Sequence, residues 1–452
     1  MQKLNNPIYL STILLAILLI ACNSSEENKS VSISGTITNP VDNKVQLSSA
    51  DMKLVFQLDE NNSFDTTLTL NEGRRYNLRH GRESTKIYLV PGTDLNITVN
   101  NDLFDESISY TGTGATNSIF LAKKYLHREE NNMDSKALFS QNEEDFLKTL
   151  DDQAISNTSF LENYEGLGKG FYNEELKSIE YEKLLSIADY QVAHRYFTKN
   201  MDFEASDKIT NMLSDVNLDD EETYKEDQSY ARLVNSIIVN QEMKDALSKL
   251  KSINSQDIKE SVLQNLKYEL RPGIKDLDFT YNEMVSLTQD SVLLAELATT
   301  YEKCKLLEPG KDSPKFNYVD RNGDYVSLED LKGKNVYVDV WATWCGPCLA
   351  EVPFLKEVEE KYRSQNIEFV SVSIDNQKDK EKWLAMIDKE NLGGLQLFAD
   401  KDWKSDFVVN YNIKGIPRFI IIDDEGKIVS PDAPRPSSGK DLEDIFSSLS
   451  SL

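Results

Sequence analysis

The sequence predicts a multi-domain chain with an N-terminal antiparallel β domain, a helical middle region and a C-terminal α/β domain. Three observations lead there. Residues 30–112 alternate apolar and polar side chains with period two. Residues 113–307 carry apolar side chains at helical spacing, with Pro272 as their single proline. Beyond Pro309, the run "VYVDVWATWCGPCLAEVPFL" joins a β-branched apolar strand to an amphipathic helix through two cysteines. With the first 21 residues set aside, about 430 remain, enough for two or three domains with real cores.

The chain opens "MQKLNNPIYLSTILLAILLIACNSSEEN", and Lys3 is the only charge before an apolar run from about Ile8 to Ala21. That run is too short for a comfortable membrane span and has the layout of a secretory signal. Leu19-Ile20-Ala21-Cys22 resembles the lipobox of bacterial lipoproteins. The resemblance implies a signal peptide over 1–21, a lipid anchor on Cys22 and a tether over 22–29. An ordinary signal peptide with an incidental cysteine is the rival reading. Asn23, in place of the aspartate that marks inner-membrane retention, points by the same rule to the outer membrane. Which face of the envelope the chain occupies stays open, between periplasm and surface.

The formal net charge is −26, and residues 310–452 contribute 19 basic and 26 acidic side chains, so most of the excess lies upstream. A duplex-binding protein needs the opposite sign to neutralise phosphates, so nucleic acid is excluded as a partner. A polybasic membrane contact is excluded for the same reason. The acidity instead suits solubility at an envelope surface.

In the β region, "VSISGTITN" ends at the Asn39-Pro40 turn signal, and "KVQLSS", "LVFQLDENNSFDTTLTL" and "RYNLRHG" continue the alternation. Asp59-Glu60-Asn61-Asn62 reads as a hairpin loop, and "KIYLVPGTDLNITVN" adds two strands around Pro91-Gly92. A small sandwich over 30–112 is expected, without a catalytic constellation; His80, beside basic residues, is expected in an exposed loop. In the helical region, 113–307, Leu176, Ile179, Leu184, Ile187 and Ala188 share one face, and Leu233, Ile237, Met243, Leu247 and Leu250 another. Pro272, in "RPG", separates two helices. A bundle or spacer is expected there, with a partner-binding groove as the rival. His127 and His194 have no metal-ligating neighbour at useful spacing. Cys304, near the end of the last helix, is expected as a buried apolar thiol.

Pro309-Gly310 marks the linker to the last domain, over 310–452. Phe316–Asp320 and Tyr325-Val326 form a hairpin about Asn322-Gly323, and Ser327 starts a single helical turn. Val336, Val338 and Val340 make a buried strand, and Leu349–Arg363 a long helix. Cys345 therefore falls at a helix N-terminus and Cys348 within its first turn. Unpaired N–H groups and the aligned dipole favour an anion there. A thiol of ordinary pKa about 8.5 can fall to about 7 in such a place. The thiolate is the nucleophile of disulfide exchange, and a second thiol one turn away resolves the mixed disulfide. Gly346 permits the bend, and Pro347 sets the turn where no N–H is needed.

Competing uses of the pair fail. A zinc ribbon needs a second ligand pair, but Cys304 lies 41 residues upstream and no histidine follows Cys345. An iron–sulfur site lacks ligands for the same reason. A peroxiredoxin-type lone nucleophile wants proline and threonine where Val338 and Ala342 stand.

"VDVWATWCGPC" resembles thioredoxin, and residues 310–452 as a whole resemble the envelope thiol–disulfide oxidoreductases of the TlpA/ResA type. The likeness continues through Glu351-x-Pro353, where Pro353 is expected to kink the helix. It includes "EFVSVSIDN", then the helix-and-strand insertion "KDKEKWLAMIDKENLGGLQLFAD", and closes with "YNIKGIPRFIIIDDEGKIV". It implies a C-terminal thioredoxin-like fold with Ile416-Pro417 at the family's cis-proline and the Ile416 backbone pairing with substrate. It also implies that Asp339, six residues before Cys345, is the buried acid that takes a proton from Cys348; an exposed strand aspartate is the alternative. Glu351 reads equally as a second relay carboxyl or as a first-turn acid on the helix dipole. Trp344 shields the nucleophile and, with Gly346 and Pro347, forms substrate surface, whereas Trp341 belongs to the core. Arg418 stands where many relatives carry threonine, which predicts either a more cationic substrate surface or a salt bridge to the chain's own carboxylates. The β region resembles, in pattern, the module that precedes such domains in Bacteroidota lipoproteins.

The leading expectation is a lipid-anchored envelope oxidoreductase acting on disulfides of exported proteins. Cys345 attacks, Cys348 resolves, and a membrane thiol-transfer donor supplies electrons. Gly-Pro between the cysteines favours reduction over oxidation by the same resemblance. No flavin or nicotinamide motif is visible, so no cofactor is expected. The alternative is a binding or chaperone-like lipoprotein, or a disulfide isomerase, with the acidic upstream portion engaging the client.

Overall fold

The computed structural model describes residues 29–49 and 52–449. The expected signal segment, Cys22 and nearly all of the tether lie outside them. Two compact units are present: one comprises residues up to Leu138 with Lys148–Glu180, the other Phe139–Leu147 with Tyr181 onwards.

In the first unit, strands β1 (Ser30–Thr38), β2 (Lys44–Ser48), β3 (Lys53–Gln57), β4 (Ser63–Thr69), β5 (Arg74–His80), β6 (Glu83–Leu89), β7 (Asp94–Asn100) and β8 (Ser109–Thr111) form two four-stranded sheets. Their orders are β4-β1-β7-β8 and β3-β2-β5-β6. The pairs are antiparallel except β1 with β7, which run parallel. Period-two alternation drives Val31, Ile33, Ile37, Val45, Leu47, Leu78, Ile97 and Val99 into one core shared by both sheets. Gly35 is required at its place: a Cβ there would lie 2.7 Å from the Phe64 ring and 2.8 Å from the Ile97 carbonyl oxygen.

Two expectations are corrected here. Residues 59–62 do not close a hairpin, because β3 pairs with β2 and β4 with β1, so this turn carries the chain from one sheet to the other. His80 is not in an exposed loop but ends β5 at 2 % exposure. Its Nε2 accepts from the Val41 N–H at 3.0 Å, which leaves Nδ1 to donate to the Lys44 carbonyl at 2.9 Å. Basic neighbours in sequence pointed outward because alternation, not local composition, sets the face.

The second unit begins with helices, including Gln228–Val239, Met243–Ser252, Gln256–Leu266, Leu277–Ser286 and Ser291–Leu306. Asp227, Ser255 and Asp290 cap three of them through their side chains. Val234, Ile238, Leu247, Leu250, Val262, Leu263 and Leu297 fill their common core.

The C-terminal portion is a thioredoxin-like α/β fold. Its strands are β9 (Asn317–Asp320), β10 (Tyr325–Ser327), β11 (Asn335–Trp341), β12 (Ile367–Ser373), β13 (Leu395–Phe398), β14 (Arg418–Ile422) and β15 (Ile428–Ser430). They form one sheet in the order β10-β9-β13-β12-β11-β14-β15. Strand β11, flanked on both sides, runs parallel to β12 and antiparallel to β14. Each face of the sheet carries its own core. Val336, Val338 and Val340 pack on one side with Trp383 and Phe407, while Tyr337 packs on the other with Leu355, Tyr362 and Phe446. That near-continuous burial explains why β11 is apolar on both faces. The helix Gly346–Tyr362 runs unbroken through Pro353.

Candidate active site

Strand β11 ends at Trp341, and after three intervening residues Cys345 is the N-cap of the helix Gly346–Tyr362. The Cys345 Sγ accepts a hydrogen bond from the Cys348 N–H at 3.1 Å. One of the orphan donors of the first turn is thus aimed at this sulfur, the arrangement that lowers a thiol's proton affinity. Cys345 and Cys348 are joined as a disulfide, with an S–S distance of 1.98 Å and Cα atoms 5.2 Å apart. Both cysteines are 4 % exposed, while Trp344, Gly346 and Pro347 around them are exposed. Gly346 does not serve the bend: its φ is not positive and a Cβ there would meet nothing within 4 Å. What its missing side chain does is leave open space beside the sulfurs.

The loop into the helix is braced from below by Asp375, which is fully buried two residues past the end of β12. Its Oδ2 accepts from the Thr343 N–H at 2.9 Å and from the Ser373 hydroxyl at 2.8 Å, and its Oδ1 accepts from the Thr343 hydroxyl at 2.8 Å. Sequence reasoning missed this residue, taking "EFVSVSIDN" only as a strand. The available signal was an acid directly after an apolar strand; that it grips a loop 32 residues earlier is a tertiary fact.

Asp339 stands on β11 in register with Ser371 of β12 and Phe419 of β14. The residue as a whole is only partly buried, but its Oδ1 is enclosed and has no hydrogen-bond partner among the described residues. Burial of the carboxyl pushes its pKa up to about 8, and the Glu351 and Glu359 charges push the same way. Alternation puts Asp339 with Tyr337 on the sheet face that the dithiol helix covers through Leu355 and Tyr362. The exposed-aspartate alternative therefore falls.

Glu351 is in the second turn of the helix, not the first, and is 8 % exposed. It accepts from the Ser437 N–H at 3.0 Å and the Ser437 hydroxyl at 2.8 Å, so its partner is the loop before the last helix and not the helix dipole. Glu359 lies two turns further along the same helix face, and burial raises its pKa to about 6. The Ile416–Pro417 bond is cis, and both residues are partly buried.

Arg418 does not add charge to the surface. Its side chain is 12 % exposed and its guanidinium pairs with the Asp432 carboxylate at 2.7 Å; Arg271 pairs with the same carboxylate. Burial first, then the Arg271 charge, pulls Arg418 down to about 10. Cys304 is 2 % exposed, and burial pushes its thiol up to about 11, the setting of an unreactive sulfur.

Residues 308–446 match the Redoxin family. Over 123 residues the chain is 32% identical to the thiol-disulfide oxidoreductase ResA of Bacillus thuringiensis (strain Al Hakam), an alignment covering 27% of this chain and 68% of that protein. Over 134 residues it is 31% identical to the thioredoxin-like protein YneN of Bacillus subtilis (strain 168), covering 29% and 76%. Among solved structures it resembles the thioredoxin domain of a thiol-disulfide oxidoreductase from Bacteroides vulgatus, at 31% identity over 32% of this chain and 99% of that one, with a TM-score of 0.29.

Proposed function

The chain belongs, through its C-terminal portion, to the ResA-type thiol–disulfide oxidoreductases, and on that premise we propose that Cys345 and Cys348 are its working dithiol, reducing disulfides of exported proteins. The observation that carries this reading is the Cys345 sulfur at the helix N-cap, receiving the Cys348 N–H and within bonding reach of the second sulfur. In the reduced protein the Cys345 thiolate attacks one sulfur of a client disulfide, forms a mixed disulfide and releases the other client sulfur as thiolate. Cys348 then loses its proton, attacks the Cys345 sulfur and expels the second client thiolate. Two electrons pass to the client, and the chain is left with the Cys345–Cys348 bond. Asp339, with Glu351 nearby, is the acceptor for the Cys348 proton in this scheme; a carboxyl with a pKa of about 8 is matched to that exchange near neutrality. Trp344, Gly346, Pro347, Ile416 and Pro417 surround the sulfurs as client surface. Regeneration takes two electrons from a membrane dithiol donor. The lipid anchor at Cys22 and an outer-membrane address belong to the same proposal.

Reduction of insulin by the full chain, with dithiothreitol as electron source, tests it. Cys345→Ala is expected to abolish turnover, and Cys348→Ser to accumulate mixed disulfides through Cys345 that mass spectrometry identifies. Full turnover by Cys345→Ala would sink the proposal. Rescue of scrambled ribonuclease without net reduction would move the assignment to isomerase.

A further inference from the structure

We propose that Trp403 is a second recognition residue of this site, forming with Trp344 an aromatic platform for an extended, apolar segment of a disulfide-bearing client polypeptide. The inference rests on the proposed dithiol chemistry and names what that chemistry selects. The chain has four tryptophans. Trp341 and Trp383 are 2 % and 0 % exposed and fill the core, whereas Trp344 is 53 % and Trp403 37 % exposed. The two exposed rings meet, their centroids 6.4 Å apart and their planes tilted by 40°. Leaving two indoles in water forgoes the area they would bury in a core, and tryptophan is the side chain most enriched where a partner buries it.

The turn that displays Trp403 is tied down by hydrogen bonds. Asp402 adopts φ +49°, a left-handed turn conformation that aspartate tolerates. Ser405, fully buried, accepts from the Lys401 N–H at 3.0 Å, and its own N–H donates to the Asp402 carbonyl at 3.1 Å. The Gln377 amide donates to the Ala399 and Asp400 carbonyls, each at 3.0 Å. A preorganised ring loses little freedom on binding. The occupant follows from continuity and charge. In the mixed disulfide the client cysteine is bonded to Cys345, directly beside Trp344, so the client backbone leaving that cysteine crosses the neighbouring ring. Lys401 is paired with Asp400 at 3.2 Å, and Asp402 and Lys404 flank the ring with opposite charges, so the platform carries little excess charge and offers mainly aromatic area.

The test compares kcat/KM for insulin with kcat/KM for the small disulfide 5,5′-dithiobis(2-nitrobenzoate) on the same preparation of full chain, so that the fraction of folded protein cancels. Trp403→Ala is expected to lower the insulin-to-small-disulfide ratio about tenfold, mainly through KM for insulin, and Trp403→Phe to recover most of it. A ratio within about twofold of wild type for Trp403→Ala, with insulin reduction by wild type intact, would overturn this inference alone. Wild-type protein that turned over the small disulfide but no protein disulfide would overturn the client reading and this inference together.

Discussion

At the scale of single residues, Asp339 carries the clearest consequence. An unfolded aspartate titrates near 3.9, whereas the folded carboxyl titrates at about 8 because its ionised form is denied water. Between those values the folded state holds more protons than the unfolded state. Stability therefore falls as pH rises from about 4 to about 8, and Glu359, raised to about 6, adds to the slope in the lower part of that window. Asp339→Asn removes the penalty. Denaturant unfolding at pH 8 is expected to show the variant more stable than wild type by on the order of 2 kcal/mol or more, with little gain at pH 4. The same variant should slow release of the client from the mixed disulfide and flatten its rise with pH. A wild-type stability flat from pH 4 to 8 would contradict the enclosed carboxyl.

At the scale of elements, the decisive piece is the link between β11 and the dithiol helix. It is short, it carries an exposed tryptophan, and its position depends on Asp375 accepting three hydrogen bonds from Thr343 and Ser373. Asp375→Ala strands the Thr343 N–H and two hydroxyls in a buried place. Each orphaned group costs about 1 kcal/mol or more, so a loss of about 2–4 kcal/mol is expected in urea unfolding. Insulin turnover should fall even where the variant is fully folded, because the Cys345 sulfur loses its seat. Wild-type turnover in a folded Asp375→Ala protein would show the loop to be self-supporting. Glu351 plays a comparable part at the other end of the site, tying the helix to Ser437.

At the scale of the molecule, each unit contains an ionic cluster, buried in the first and half-buried in the second. In the first, Glu175 is 1 % exposed and accepts from Arg75 and Lys124, each at 2.8 Å. Burial pushes its pKa up, but the Lys124 and Arg75 charges outweigh that and hold it below the usual range. Glu175→Gln takes the buried carboxylate away from Lys124 and Arg75, while Arg75 keeps Glu174 at 3.1 Å, and a cost of about 1–3 kcal/mol is expected in that unit's thermal or urea transition. An unchanged transition would mean water reaches the cluster. In the second unit, Asp432 takes Arg418 from the sheet and Arg271 from the helical segment, and a Cβ on Gly273 would lie 3.2 Å from that of Asp432. The helical segment and the sheet therefore meet at Pro431 and Asp432, just past β15, where Arg418 at the start of β14 also reaches.

Local patterning determined much of this protein before any coordinates: the β sheets, the helical stretch, the strand–CGPC–helix run and Cys345 at a helix start all follow from side-chain period and from what a helix terminus favours. Asp339 also stood out as an acid in an apolar strand, a signal readable within a few residues. Tertiary structure alone decided what depends on residues far apart in the chain. It put His80 inside, carried residues 59–62 between sheets, paired Arg418 with Asp432, set Asp375 beneath Thr343 and brought Trp403 against Trp344. The physical reason is that periodicity reports which face of an element is buried, while hydrogen bonds, ion pairs and ring contacts between distant segments exist only once the sheet order and register have brought those segments together.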